Sequence, residues 1–212
     1  MRRPSRRPDA ARAPVADPSS ASLAELLATV RACEACAAFL PLGPRPVLQA
    51  HEEARVLVVA QAPGLRVHRS GIPWDDASGE RLRCWMGIDA RVFHDASKIA
   101  ILPIGFCYPG RGGDGDLPPR PECAALWHEA LLARLPAIRV TLLIGHHAQR
   151  HYLRGRRQPT LAQTVRRWRD YAPASVPLPH PSPRNQPWLA RHPWFETEVL
   201  PALRDAVARA VA

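Results

Sequence analysis

The stretch RVLVVAQAPGLRVHRSGIPW, residues 55–74, decides how the whole chain is read. Val56 to Ala60 is a short, fully apolar run rich in β-branched side chains, the pattern of a strand covered on both faces. The run breaks at Gln61 into Ala62-Pro63-Gly64, and a polar residue followed by Pro-Gly at a strand end builds a turn. A strand over 55–60 that is buried on both faces needs parallel neighbours and helices above and below. Similar apolar runs recur at Ile99–Ile104 (IAILPI) and Val140–Gly145 (VTLLIG), and a shorter one at Val176–Leu178 leads into HPSPRN.

Stretches with helical character separate these runs. Ser22–Cys33 carries Leu23, Leu26, Leu27 and Val30 at helical spacing, with Ser22 and Glu25 placed as a capping box. Ser78–Met86, Pro121–Leu135, His146–Leu153 and Trp194–Val211 also read as helices, the second with Pro121 near its start and Glu122 in its first turn. Strands alternating with helices predict an α/β fold, a three-layer α/β/α sandwich around a central, mostly parallel four-stranded sheet. Ligands of such sheets bind beyond the carboxyl ends of the strands. That rule selects Gln61–Gly64, Gly105-Phe106-Cys107, Gly145-His146-His147 and His180-Pro181-Ser182. Gly110–Pro121 reads as a single Gly/Pro/Arg loop.

At 212 residues the chain suits one well-buried domain, expected over 22–212. Residues 1–21, basic and rich in Pro and Ala without an apolar core of the secretory kind, are expected to be a disordered arm. No run has the length of a bilayer-spanning segment, so no membrane partner is expected. The formal net charge is +10, carried almost wholly by arginine, with Lys98 the single lysine. Such a surface attracts phosphate backbones, although a GC-rich genome also enriches arginine.

Five cysteines, at 33, 36, 84, 107 and 123, are too odd in number for a closed disulfide framework. With a CxxC at 33–36 they point to a reducing, cytoplasmic setting. Cys33 and Cys36 can place two thiolates on one metal centre, with Cys107 and Cys123 as the natural second pair. On spacing alone, zinc, an iron–sulfur cluster and ordinary buried thiols all remain open. Cys84, in RLRCWMG, reads as a helix residue facing the core.

Strand–QAPG, then GIPW, then a distant strand–HPS together resemble the uracil-DNA glycosylase superfamily. Adding the CxxC and the Cys-x15-Cys pair makes the closest group the iron–sulfur family four type; the resemblance runs from about Leu26 to Leu203. It implies a monomeric DNA glycosylase that flips uracil or another deaminated base from damaged duplex or single-stranded DNA into a pocket. It also implies a [4Fe–4S] cluster on Cys33, Cys36, Cys107 and Cys123, with zinc or no metal as the alternative. By the same resemblance Gln61, Ala62, Pro63 and Gly64 match the pocket floor, Trp74 the aromatic that stacks on the base, and His180 the histidine that hydrogen-bonds a base carbonyl. Ser182, Arg184 and Asn185 continue a loop expected to approach DNA.

The chain departs from that pattern in three places, one being the second acidic position of the first motif, which falls near Val67 and His68 and has no carboxylate. Gln61 stands where the family has a water-orienting glutamate, and a glutamine can hold a water but cannot accept its proton. Pro103 stands where the family has a base-reading asparagine. Asp75 or Asp76 is a candidate replacement carboxylate, and His68 a candidate replacement polar contact. These departures predict weak or altered base specificity, or a catalytically reduced DNA-binding protein.

Overall fold

The computed structural model describes residues 21–113 and 115–212. The arm expected over 1–21 falls, but for Ala21, outside the described residues. Helix α1 (Leu23–Arg31) opens on the capping box read from the sequence: Ser22 Oγ accepts from Glu25 N–H, and Glu25 reaches back to Ser22 N–H at 2.8 Å. Strand β1 (Val56–Val59) follows and runs into two short helices, α2 (Leu65–Ser70) and α3 (Ala77–Met86). After α4 (Ala90–Phe93) the chain returns through β2 (Ile99–Ile101).

A two-stranded antiparallel hairpin comes next, β3 (Arg111–Gly112) with β4 (Gly115–Asp116), where the sequence was expected to form only a loop. Two-residue strands carry no periodicity to read. Then come α5 (Pro121–Leu132), β5 (Val140–Ile144), α6 (Gly145–Leu153), α7 (Leu161–Arg166), β6 (Ser175–Leu178) and α8 (Gln186–Arg191). A π-helical turn at Phe195–Val199 leads into α9 (Leu200–Val211).

The main sheet has the order β2-β1-β5-β6 and is parallel throughout. β1 sits centrally, Val56 opposite both Ile99 and Val140, and is at most 1% exposed at every position. Its period-two alternation splits the core. Val56 and Val58 pack with Leu82, Trp85, Phe93, Phe195 and Leu203, under α3 and α9. Leu57 and Val59 pack with Leu26, Val30, Leu131 and Leu153, under α1, α5 and α6. These are the three layers of an α/β/α sandwich. Cys84 corrects one expectation: it is exposed on α3, whose core face is carried by Leu82, Trp85 and Met86. No helix among the described residues is long and apolar enough to cross a membrane.

Candidate active site

At the carboxyl end of β1 the main chain pins the neighbouring segment. Ile104 N–H donates to Ala60 O and Gly105 N–H to Gln61 O, each at 2.8 Å. This holds Pro103 and the Gln61 turn side by side as two walls of a cavity of about 560 Å³. The size falls within the range of small-ligand sites, roughly 300–1,000 Å³. Gln61, Ala62, Pro63 and Gly64 all line it, and Gly64 then caps α2. The half-buried Gln61 side chain makes no hydrogen bond to another described residue, which leaves its amide for a ligand or water.

Gly71, at φ +74°, ends α2 and sends the chain to Trp74. Trp74 itself has φ +58°, a left-handed conformation that is costly for a bulky residue. That backbone aims its carbonyl at α3, where a Cβ on Gly79 would lie 1.9 Å from Trp74 O. Only a glycine permits the approach. Asp76 caps the same helix by accepting from Gly79 N–H at 2.8 Å. The Trp74 ring lines the cavity and stacks on His180 with centroids 5.7 Å apart and 28° between planes.

His180 follows the end of β6. The fully buried Gln149, on α6, donates to Leu178 O at 2.9 Å and Leu143 O at 3.3 Å, tying the ends of β5 and β6 together beneath it. Ser182 N–H donates to His180 Nδ1 at 3.2 Å, and Asn185 Nδ2 donates to His180 O at 2.7 Å. Nδ1 is thereby the acceptor, so the neutral ring carries its proton on Nε2. Burial pushes the His180 pKa down, with Asp76 pulling weakly the other way. Ser182, Arg184 and Asn185 form a short turn on the cavity rim; Arg184 is exposed, while the Asn185 side chain is engaged in bracing His180.

Two sequence candidates stand elsewhere. Asp75 is not part of the cavity wall and pairs with Arg66 at 3.5 Å. His68 is buried on α2 beside the Tyr108 ring, centroids 6.0 Å apart, and burial lowers its pKa. Pro103 does line the cavity. Its carbonyl meets His128 Nε2 at 3.0 Å, and His128 Nδ1 meets the Tyr152 hydroxyl at 2.6 Å. Among the cavity residues that the sequence reading missed, the titratable one is Asp116 on the hairpin. Its signal was the glycine-rich stretch GRGGDG, residues 110–115, of a composition that suits a hairpin turn inside what read as a loop.

A protein-family model, that of the uracil DNA glycosylase superfamily, matches residues 48–204. The chain belongs to the uracil DNA glycosylase superfamily. The matched span takes in the Gln61 turn, Trp74, His180, Cys107 and Cys123, and starts after the CxxC pair. At the level of the superfamily the chain is thus a glycosylase-like hydrolase of the uracil type, acting on DNA.

This superfamily member has a second, much smaller cavity that shares no lining residue with the first. Cys33, Cys36, Cys107 and Cys123 all line it, among Leu40, Pro46, Phe106 and Trp127. Burial, helped by mutual proximity, raises the thiol pKa of Cys107 and Cys123, the latter to about 12; Cys36 is raised by burial and by Glu122. Such thiols ionise only against a strong positive partner. Among the described residues no three His, Cys, Asp or Glu side chains close on a point as ligands of one ion. Ligands to a multi-atom cluster stand farther apart than a set converging on one zinc at about 2.3 Å. Trp127 lines the cavity with its Nε1–H buried and unpartnered, a donor suited to a sulfur acceptor.

Proposed function

We propose that this chain is a DNA glycosylase that hydrolyses the N-glycosidic bond of uracil or another deaminated base, closest in type to the iron–sulfur family four branch. The observation that supports this most directly is His180. A flipped base leaves as an anion, and an N–H aimed at one of its carbonyl oxygens lowers the energy of that charge. The Ser182 N–H held on Nδ1 keeps the Nε2 proton available for that contact, and burial keeps the ring neutral. Trp74 supplies an aromatic wall, the Ala62–Gly64 backbone the floor, and Gln61 an amide for the base edge or a water. Ser182 and Arg184 are placed for phosphate contacts.

In this reading Cys33, Cys36, Cys107 and Cys123 hold a [4Fe–4S] cluster in a structural role, in a monomer working in a reducing cytoplasm. The cluster would tie α1 and α5 to the sheet, away from the base pocket. Purified protein should be brown with broad absorbance near roughly 400 nm; colourless protein with stoichiometric zinc would replace the cluster with zinc.

Gln61 and Pro103 favour one second reading, a catalytically reduced DNA-binding member of the superfamily. Oligonucleotides carrying uracil, hypoxanthine or xanthine, assayed for alkali-labile breaks, separate the two. The enzyme reading expects cleavage of at least one base and its loss in His180→Ala. Equal affinity for uracil-containing and normal DNA, with no breaks from either protein, would establish the binding protein instead.

A further inference from the structure

Gln61 leaves the end of β1 without the carboxylate that hydrolysis uses best, yet a carboxylate reaches the same turn from another element. We propose that Asp116, on the β3–β4 hairpin, is the carboxylate that orients and deprotonates the attacking water in this pocket; this rests on the glycosylase reading above. Asp116 lines the base cavity. Its Oδ2 lies 3.5 Å from where a Cβ on Gly64 would stand, so it faces the turn that begins at Gln61.

The hairpin holds it there. Arg111 pairs with Asp116 across β3 and β4, and Leu117 N–H donates to Gly110 O at 2.9 Å. Gly110, at φ +100°, and Gly112 let the Leu117 side chain close over the hairpin, at 3.6 and 3.1 Å from the positions their Cβ atoms would take. Beneath it Tyr108 is buried, and burial together with the Asp116 charge raises the phenol's pKa. On the other side a Cβ on Gly115 would stand 3.0 Å from Arg184 Nη1. The hairpin therefore spans the mouth between the Gln61 turn and the His180 loop. Asp116 itself is exposed, on a rim that bound DNA would cover.

The other carboxylates near the turn have partners of their own, as Asp116 has in the Tyr108 hydroxyl. Asp75 pairs with Arg66 away from the cavity, and Asp76, which lines it, spends Oδ1 on the cap of α3. In the step assigned to Asp116 the C1′–N bond breaks and its electron pair leaves on the base, whose anion accepts Nε2–H from His180. A lone pair of the water forms the C1′–O bond. The water's proton passes to the Asp116 carboxylate and then to solvent, and the released base anion takes a proton from solvent. Water is consumed, an abasic sugar and a free base are formed, and the carboxylate ends ionised as it began.

Single-turnover cleavage of the best substrate base tests this, with DNA affinity measured in parallel. Asp116→Asn and Asp116→Ala should slow cleavage by about 10²-fold or more, the worth of a general base. DNA binding should be unchanged or tighter, since a negative charge has left the rim. Formate should restore part of the rate to Asp116→Ala and none to His180→Ala. Should Asp116→Asn lose its native circular dichroism, Asp116→Ser carries the test at the same position. Wild-type rates in the Asn and Ala variants would overturn the assignment and leave the glycosylase reading standing. Wild-type protein that cleaves no base would overturn both.

Discussion

His180 shows how much of the chemistry is set by one backbone amide. With Ser182 N–H on Nδ1, the imidazole reaches the base as a donor without being charged, and burial keeps it so. A protonated ring is disfavoured here by the cost of desolvating its charge in this buried site. Long-range nitrogen–proton correlation spectra should therefore show His180 as the Nε2–H tautomer at pH 7, titrating below the ordinary histidine value near 6.5. An Nδ1–H signal, or titration above that value, would contradict the assigned role. Gln61 and His180 were legible in the sequence because each sits where an apolar strand ends, and Trp74 through the resemblance of GIPW to a family motif. His68 was not, because nothing local announces that Tyr108 from a distant loop will cover it. The distance between Asp75 and the cavity was equally hidden, since it follows from Trp74 adopting a left-handed backbone.

At the scale of elements, the pocket wall depends on α3 pressing against the Trp74 carbonyl. Gly79→Ala would place a methyl 1.9 Å from where backbone oxygen already stands, so either α3 or Trp74 must shift. Overpacking of this kind costs about 1–3 kcal/mol. The variant should lose stability of that order in urea unfolding and should lose base cleavage disproportionately, because Trp74 moves with its carbonyl. Full cleavage at reduced stability would show the carbonyl contact to be structural only. The elements themselves were unequally legible. The four strands of the sheet are continuous apolar runs whose type is decided locally, and α1 advertises its start with a complete capping box. The helices α2, α7 and α8, of six residues each, are too short to show a periodicity of their own, though α7 opens on a capping box of Thr160 and Gln163. The β3–β4 hairpin is set by glycine geometry and by contacts with Tyr108 and Arg184, so the run of glycines before Asp116 was the one local sign of it.

For the molecule as a whole, His128 joins the two cavities. Its ring stacks on Phe106, centroids 5.6 Å apart, and Phe106 lines the cysteine cavity. Its Nε2–H meets the carbonyl of Pro103, a wall of the base pocket, and its Nδ1 accepts from Tyr152 on α6. A neutral imidazole already satisfies both ring nitrogens, and burial, which disfavours the charged ring, pushes its pKa down to about 4. An unfolded chain would bind that proton near the ordinary value. Between the two values the unfolded state therefore takes up a proton that the native state refuses. The stability His128 contributes is fully present above the unfolded value and is lost as pH falls toward 4. The shift corresponds to roughly 3 kcal/mol. Urea unfolding of wild type and His128→Gln, each measured at about pH 7.5 and about pH 4, isolates this share from the other histidines. Wild type should be the more stable at the higher pH and should lose roughly 3 kcal/mol more than the variant on acidification. Equal losses would mean that the native state admits a proton at His128, and that the seam between base pocket and cysteine cavity opens more readily than its hydrogen bonds imply.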